Sequence, residues 1–301
     1  MPPVRLAHFS DVHLTARPLG WRPRDLMSKR VTGWMNVRLL GRGRRFRLAP
    51  AVVAALMEEI RDRKPDGLVF SGDATGLGFE SEFVAAAHAL GVRDETLPPA
   101  VAVPGNHDYY TRRAVRAGLF EQYFAPWLHG VRLDAETYPF ARQVGGVWLV
   151  CVNSSTSNRW TWDASGAVGA AQLDRLKRLC DKLPAGPRVL VTHYPLRTAH
   201  GQGEPRVHRL RDHAAALDCA KACGVGLWVH GHIHRGFHLP ASGARVPFPI
   251  VCAGSATQDN RWSYLEYAID GPTVAATVRT YQPDHGGFRD TSFFTVEMPG
   301  G

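Results

Sequence analysis

Seven side chains able to bind a metal ion stand in five short groups along the chain: Asp11 with His13, Asp73, Asn106, His193, and His232 with His234. Carboxylate, amide and imidazole donors without a thiolate suit manganese, iron, zinc, cobalt or nickel better than calcium or magnesium. Asp11 and His13 are two residues apart, so in an extended segment they point the same way and can reach one ion. Asp73 has two carboxylate oxygens and can bridge two ions. Its neighbour Gly72 lets the backbone come close to a metal. Two ions about 3.5–4 Å apart can generate a hydroxide and polarise phosphoryl oxygens. His107 stands beside Asn106, where an imidazole can protonate a leaving alkoxide. Asp108 is expected to orient that imidazole.

Each group follows a short apolar run that reads as a strand: 6–10, 67–70, 101–103, 189–192 and 226–229. Between these runs, 49–63, 79–90, 170–183 and the region near 212–223 read as helices, with Pro50 near the start of the first. Residues 140–152 read as paired strands around Gly145-Gly146, and the tail from Pro247 on is strand-like. The pattern predicts an α/β protein whose site lies at the carboxyl ends of its strands, where α/β sheets place their ligands. With no internal repeat or linker, residues 1–301 are expected to form one domain.

The set Asp11-x-His13, Gly72-Asp73, Gly105-Asn106-His107-Asp108, His193 and Gly231-His232-x-His234 resembles the calcineurin-like metallophosphoesterase superfamily, over residues 4 to about 255. The resemblance implies a four-layer α/β/β/α sandwich and two divalent ions, with manganese the first expectation. It implies one ion on Asp11, His13, Asp73 and His234, and a second on Asp73, Asn106, His193 and His232. His107 would be the acid. His8, His200, His208, His230 and His238 match no motif position and are expected to be structural or peripheral.

The chain carries 36 Lys and Arg against 27 Asp and Glu, and all of the excess sits in residues 15–50. That segment holds ten basic residues and one acid, Asp25, so the rest of the chain is neutral. Such a segment, inserted just after His13, must flank the metal mouth. A helix over 25–40 is expected within it, without a clean apolar stripe. Trp21, Trp34 and several Leu and Met residues lie among the arginines. That mixture suits an anionic membrane surface or a substrate both acyl and anionic. Arg42, Arg44 and Arg45 would supply the charge and Trp34 the insertion, apart from the chemistry. The stretch Lys29–Asn36 resembles the chlamydial type of UDP-2,3-diacylglucosamine pyrophosphatase, an enzyme of lipid A synthesis. The proteobacterial type carries Arg in place of His107.

The expected activity is hydrolysis of a phosphodiester or pyrophosphate, lipid-linked and at the membrane face. The alternatives are a soluble cyclic-nucleotide or general phosphodiesterase and, in a different class, a non-catalytic interaction scaffold. Nucleic acid is not expected, because the positive charge is local. The segment from Met1 to Ser10 runs straight into a strand and lacks the pattern of a secretory signal. No apolar run of spanning length occurs. The five cysteines form no CxxC pair and are expected to be buried free thiols of a cytoplasmic protein, peripheral on the inner membrane face for the lipid-linked reading.

Overall fold

The computed structural model describes residues 2–243 and 246–299, so Met1, Ala244, Arg245, Gly300 and Gly301 lie outside the described residues. The strands, in chain order, are β1 (Val4–Phe9), β2 (Gly67–Phe70), β3 (Ala100–Ala102), β4 (Phe140–Val144), β5 (Val147–Cys151), β6 (Arg188–Val191), β7 (Leu227–His230), β8 (Phe237–Leu239), β9 (Ile250–Cys252), β10 (Ser263–Asp270), β11 (Thr273–Gln282) and β12 (Gly287–Glu297). The helices are α1 (Arg30–Arg38), α2 (Ala49–Arg63), α3 (Glu80–Ala89), α4 (Arg112–Arg116), α5 (Leu119–Tyr123), α6 (Ala170–Lys182) and α7 (His213–Ala222).

The strands form two six-stranded sheets, ordered β12-β11-β10-β1-β2-β3 and β4-β5-β6-β7-β9-β8. The period of two places each strand's residues on both faces. In the second sheet Leu149, Cys151, Val189 and Val191 face the core shared with the first sheet. Trp148, Val150 and Leu190 face the other way, onto Leu176 and Leu179 of α6 and Ala216 and Ala220 of α7. On the first sheet, Val52, Val53, Leu56, Met57 and Ile60 of α2 join the shared core at helical spacing. Pro50 occupies the first turn of α2 and Lys64 closes it in the left-handed region, at φ 48°. This is the expected α/β/β/α arrangement.

The strands that precede the candidate ligands run parallel: β1 with β2, β2 with β3, and β6 with β7. Their carboxyl ends therefore meet at one edge of the paired sheets. The first sheet delivers Asp11, His13, Asp73 and Asn106, and the second delivers His193, His232 and His234.

The basic segment crosses this edge as a strap. The helix expected over 25–40 is split into a 3-10 turn at Pro23–Met27 and α1. The cause is Asp25, whose buried carboxylate accepts from the Arg22 amide at 2.9 Å and from Arg30 Nη1 at 2.7 Å. Both bonds turn the chain locally and compete with a continuous helix. All five cysteines are free and buried. Among the described residues, no helix is long and apolar enough to cross a membrane.

Candidate metal centre and its strap

Five of the seven candidate ligands hold backbone angles that side chains rarely adopt. Asp11, His13, Asp73, His232 and His234 have φ of 54°, 43°, 60°, 70° and 58°. Each such residue costs about 1–3 kcal/mol, and such strain concentrates at functional sites. Tight packing of the motif loops enforces it. A Cβ on Gly105 would collide with the amide N and Oδ1 of Asp73, and one on Gly231 with Ser10 Oγ and Asp11 Oδ2. Gly72 serves the same end: a Cβ there would lie 2.6 Å from Gly105 N. Its lack of a side chain admits a neighbouring loop rather than a metal.

The side chains meet with their acceptor atoms inward. His13 Nε2 and His234 Nε2 are 3.0 Å apart. Their outer nitrogens are engaged, His13 Nδ1 with the Thr75 carbonyl at 3.2 Å and His234 Nδ1 with Gln258 Oε1 at 2.5 Å. Neutral rings donating outward turn two lone pairs toward each other. Among the described residues the buried Asp11 Oδ1 has no hydrogen-bond partner, and it lies 3.2 Å from His234 Nε2. Inward-facing atoms of Asp11, His13, Asp73 and His234 all fall within 4.8 Å of one another.

A second cluster repeats the arrangement. Asn106 Oδ1 lies 3.1 Å from His193 Nε2 and 3.0 Å from His232 Nδ1. The outer nitrogens again meet carbonyls, Ser71 O at 2.8 Å for His193 and His208 O at 3.1 Å for His232. Asp73 Oδ2 stands between the clusters, 3.5 Å from His13 Nε2 and 3.5 Å from His193 Nε2. Burial, with Asp11 and Asp108 nearby, drives the Asp73 carboxyl well above its usual range. A cation between the clusters would reverse that balance and satisfy every inward lone pair. The donor set and its orphaned oxygen therefore fit bound divalent metal.

Asp108 does not orient His107. Its carboxylate accepts from the amides of Asp73, Thr75 and Gly105 at 2.9, 3.0 and 2.9 Å, stitching two ligand loops together. The His107 ring is held by the Gly76 carbonyl, 2.6 Å from Nδ1, and stacks on Tyr110. The 76–79 turn is fixed in its own right. Glu82 Oε2 accepts from the Leu77 and Phe79 amides at 2.9 and 3.0 Å, and Arg30 donates to the Leu77 and Gly78 carbonyls. Glu82 sits three residues past Phe79, a helix-start spacing legible in the sequence. Nothing in the sequence marks Arg30 out from its neighbours.

The strap touches the site directly. Arg42 Nη2 lies 2.7 Å from His107 Nε2, which accepts the bond because Nδ1 faces a carbonyl. Burial, then the Arg42 guanidinium, holds the His107 imidazole well below its ordinary pKa. Phe46 packs 4.7 Å from the His13 ring and 5.9 Å from the His234 ring. Arg42 is thus part of the site, and the expectation that it stands apart from the chemistry is wrong. Trp34 is also misplaced as a membrane anchor, for it lines an internal cleft and packs on Trp21. His8 is structural, bridging Tyr267 and Ser71. His230 packs against Phe237, and His238 stacks on Phe294.

Two hollows open beside the centre. A cleft of about 980 Å³ runs between the strap and the body from His13 outward. Leu19, Trp21, Trp34, Val37, Phe46 and Leu77 give it apolar walls, and Arg17, Arg38, Arg42, Arg44 and Arg47 give it charge. A basin of about 720 Å³ opens at His234.

The calcineurin-like phosphoesterase family profile matches residues 4–236. No curated protein matches the chain in sequence. Among solved structures, a dimetal phosphatase from Danio rerio superposes with a TM-score of 0.69 at 12% identity, covering 99% of this chain and 100% of that one. A purple acid phosphatase from yellow lupin superposes with a TM-score of 0.60 at 13% identity, covering 98% of this chain and 53% of its own. PhoD gives a TM-score of 0.62 at 10% identity, covering 99% and 70%. At such identities these likenesses speak for the fold, and the profile match speaks for descent. The chain belongs to the calcineurin-like phosphoesterase family and is a metal-dependent phosphoester hydrolase.

Proposed function

We propose that the seven side chains hold two divalent ions, manganese before iron, zinc, cobalt or nickel, with Asp73 shared. Asp11, His13 and His234 would complete one coordination sphere, and Asn106, His193 and His232 the other. The observation that carries this reading is Asp73 Oδ2, 3.5 Å from one imidazole of each cluster. Bound there, the ions would supply an activated water and positive charge for the phosphoryl oxygens. The chain's own groups do the rest. The outward hydrogen bonds fix each imidazole as a neutral ligand. Arg42 offers guanidinium donors to a phosphoryl oxygen. A phosphate that takes those donors frees the His107 Nε2 lone pair, which can take up the proton released by the attacking water and pass it to the leaving oxygen, while Gly76 keeps the ring in place.

The substrate class we favour is a lipid-linked phosphodiester or pyrophosphate such as UDP-2,3-diacylglucosamine, met at the inner membrane face by a cytoplasmic protein. The cleft beside His13 joins apolar walls to arginines, as an anionic acyl substrate requires. The outer surface of the strap exposes Met27, Leu40, Leu39 and Leu26 to 94%, 79%, 67% and 65%. Exposed apolar side chains gathered in one segment, here the turn at Pro23–Met27 and the end of α1, suit insertion at a lipid surface. One observation favours the second reading, a soluble phosphodiesterase. Part of the strap's charge turns inward: Arg30 to Asp25, Lys29 over Tyr110 and Arg42 to His107.

Vesicle co-sedimentation separates the two. The lipid reading expects binding to anionic vesicles that Met27→Asp with Leu40→Asp removes, and faster hydrolysis of a lipid-linked pyrophosphate than of soluble nucleotides. A wild-type protein that ignores vesicles and prefers soluble esters would leave the second reading standing.

A further inference from the structure

We propose that the basin at His234 is a second phosphate subsite, shaped for a phosphate joined to the one being hydrolysed. The proposal rests on the phosphoester reading and narrows it to phosphoanhydride diesters. Four arginines line the basin: Arg44 and Arg45 from the strap, and Arg235 and Arg261 from the body. The carboxylate among its lining residues, Asp259, pairs one oxygen with Arg47 at 3.3 Å and keeps the other buried without a partner among the described residues, so one negative charge stands against four arginines. Among the described residues the guanidinium groups of Arg44, Arg45 and Arg235 have no hydrogen-bond or ion-pair partner. Four like charges beside one carboxylate leave a net positive cluster, and such a cluster gains energy by taking an anion. Guanidinium forks match phosphate oxygens in shape as well as charge.

The backbone holds the basin in place. The Asp259 amide donates to the Arg45 carbonyl at 2.6 Å, which ties the strap to the body across the basin. Arg261 Nη1 donates to the His234 carbonyl at 3.4 Å. His234 is both basin wall and candidate ligand, so a phosphate in the basin adjoins one at the metal centre. Phe46 lines the apolar cleft and packs on His13 and His234, and Arg44 lines both hollows. A substrate reaching both hollows would send its apolar arm one way and its second phosphate the other.

The test is calorimetric binding to the metal-loaded protein, comparing methylenediphosphonate, two linked phosphonates that cannot be hydrolysed, with methylphosphonate and with inorganic phosphate. Wild type should prefer the linked pair. Arg235→Ala should lower that preference about 10-fold to 100-fold, as expected for one charge-assisted hydrogen-bonding group. Arg45→Ala, far in sequence from any candidate ligand, should do the same. An unchanged preference in both variants overturns the subsite, and so does an equal loss for all three anions. A variant that weakens inorganic phosphate alone assigns the arginines to free phosphate and also overturns it. If the preference collapses as expected while wild type hydrolyses no phosphoester, the subsite stands and the phosphoester reading falls.

Discussion

The cluster of candidate ligands and the strap touch at Arg42 and Phe46 yet are built on opposite principles. In the cluster nearly every polar atom is spoken for. Four imidazoles each spend one nitrogen on an outward acceptor, and Asp108 spends its carboxylate on three backbone amides. In the strap several guanidinium groups have no hydrogen-bond or ion-pair partner among the described residues, and large apolar side chains face solvent. The cluster fixes its donors in direction before anything binds, which is how a site preorganises charge. The strap supplies walls, charge and reach, which is how a site selects among substrates. Substitutions in the two regions should therefore fail differently.

The largest effect is expected at Asp73. Asp73→Ala should release at least one ion and lower kcat by more than ~1,000-fold, several kcal/mol of transition-state charge stabilisation. Elemental analysis that finds two tightly held ions in the variant would remove Asp73 from its shared position. Next comes His107. His107→Ala should keep both ions and lose about 100-fold or more on an alkyl ester, where a general acid matters, and less on a p-nitrophenyl ester. Equal losses on the two esters would deny it the acid role.

The smallest effect tests the boundary between the regions. Arg42→Ala should cost about 10-fold to 100-fold in kcat/KM, as for a charge-assisted hydrogen bond to phosphate. Arg24→Ala, on the exposed outer strap, should change kcat/KM by less than about twofold, as surface substitutions do. If both substitutions cost the same, the strap acts only through its overall field, and the contact between Arg42 and His107 carries no special weight.

The cluster was far more legible in the sequence than the strap, for a physical reason. A ligand must follow a strand end, and strands announce themselves by apolar runs, so Asp73 after 67–70 and His193 after 189–192 could be placed from the chain alone. Helix α2 was equally plain, because Val53, Leu56, Met57 and Ile60 recur at helical spacing. Arg42 could not be told from Arg44 or Arg45. Their composition is the same, and only the turn after Gly41, at φ 80°, decides which guanidinium meets His107. Asp108 misled in a different way. Adjacency in sequence suggested a partnership with His107, whereas the turn sends its carboxylate back to the amides of Asp73 and Thr75. Trp34 looked like an anchor because composition carries no direction. In the folded chain it lines the cleft, and Met27 and Leu40 take the surface.

The most direct test of a shared two-metal centre is anomalous diffraction at the manganese edge from crystals grown with Mn²⁺. The account predicts two peaks flanking Asp73 Oδ2, one facing Asp11, His13 and His234 and the other facing Asn106, His193 and His232. A single peak, or two peaks that do not share Asp73, would contradict it.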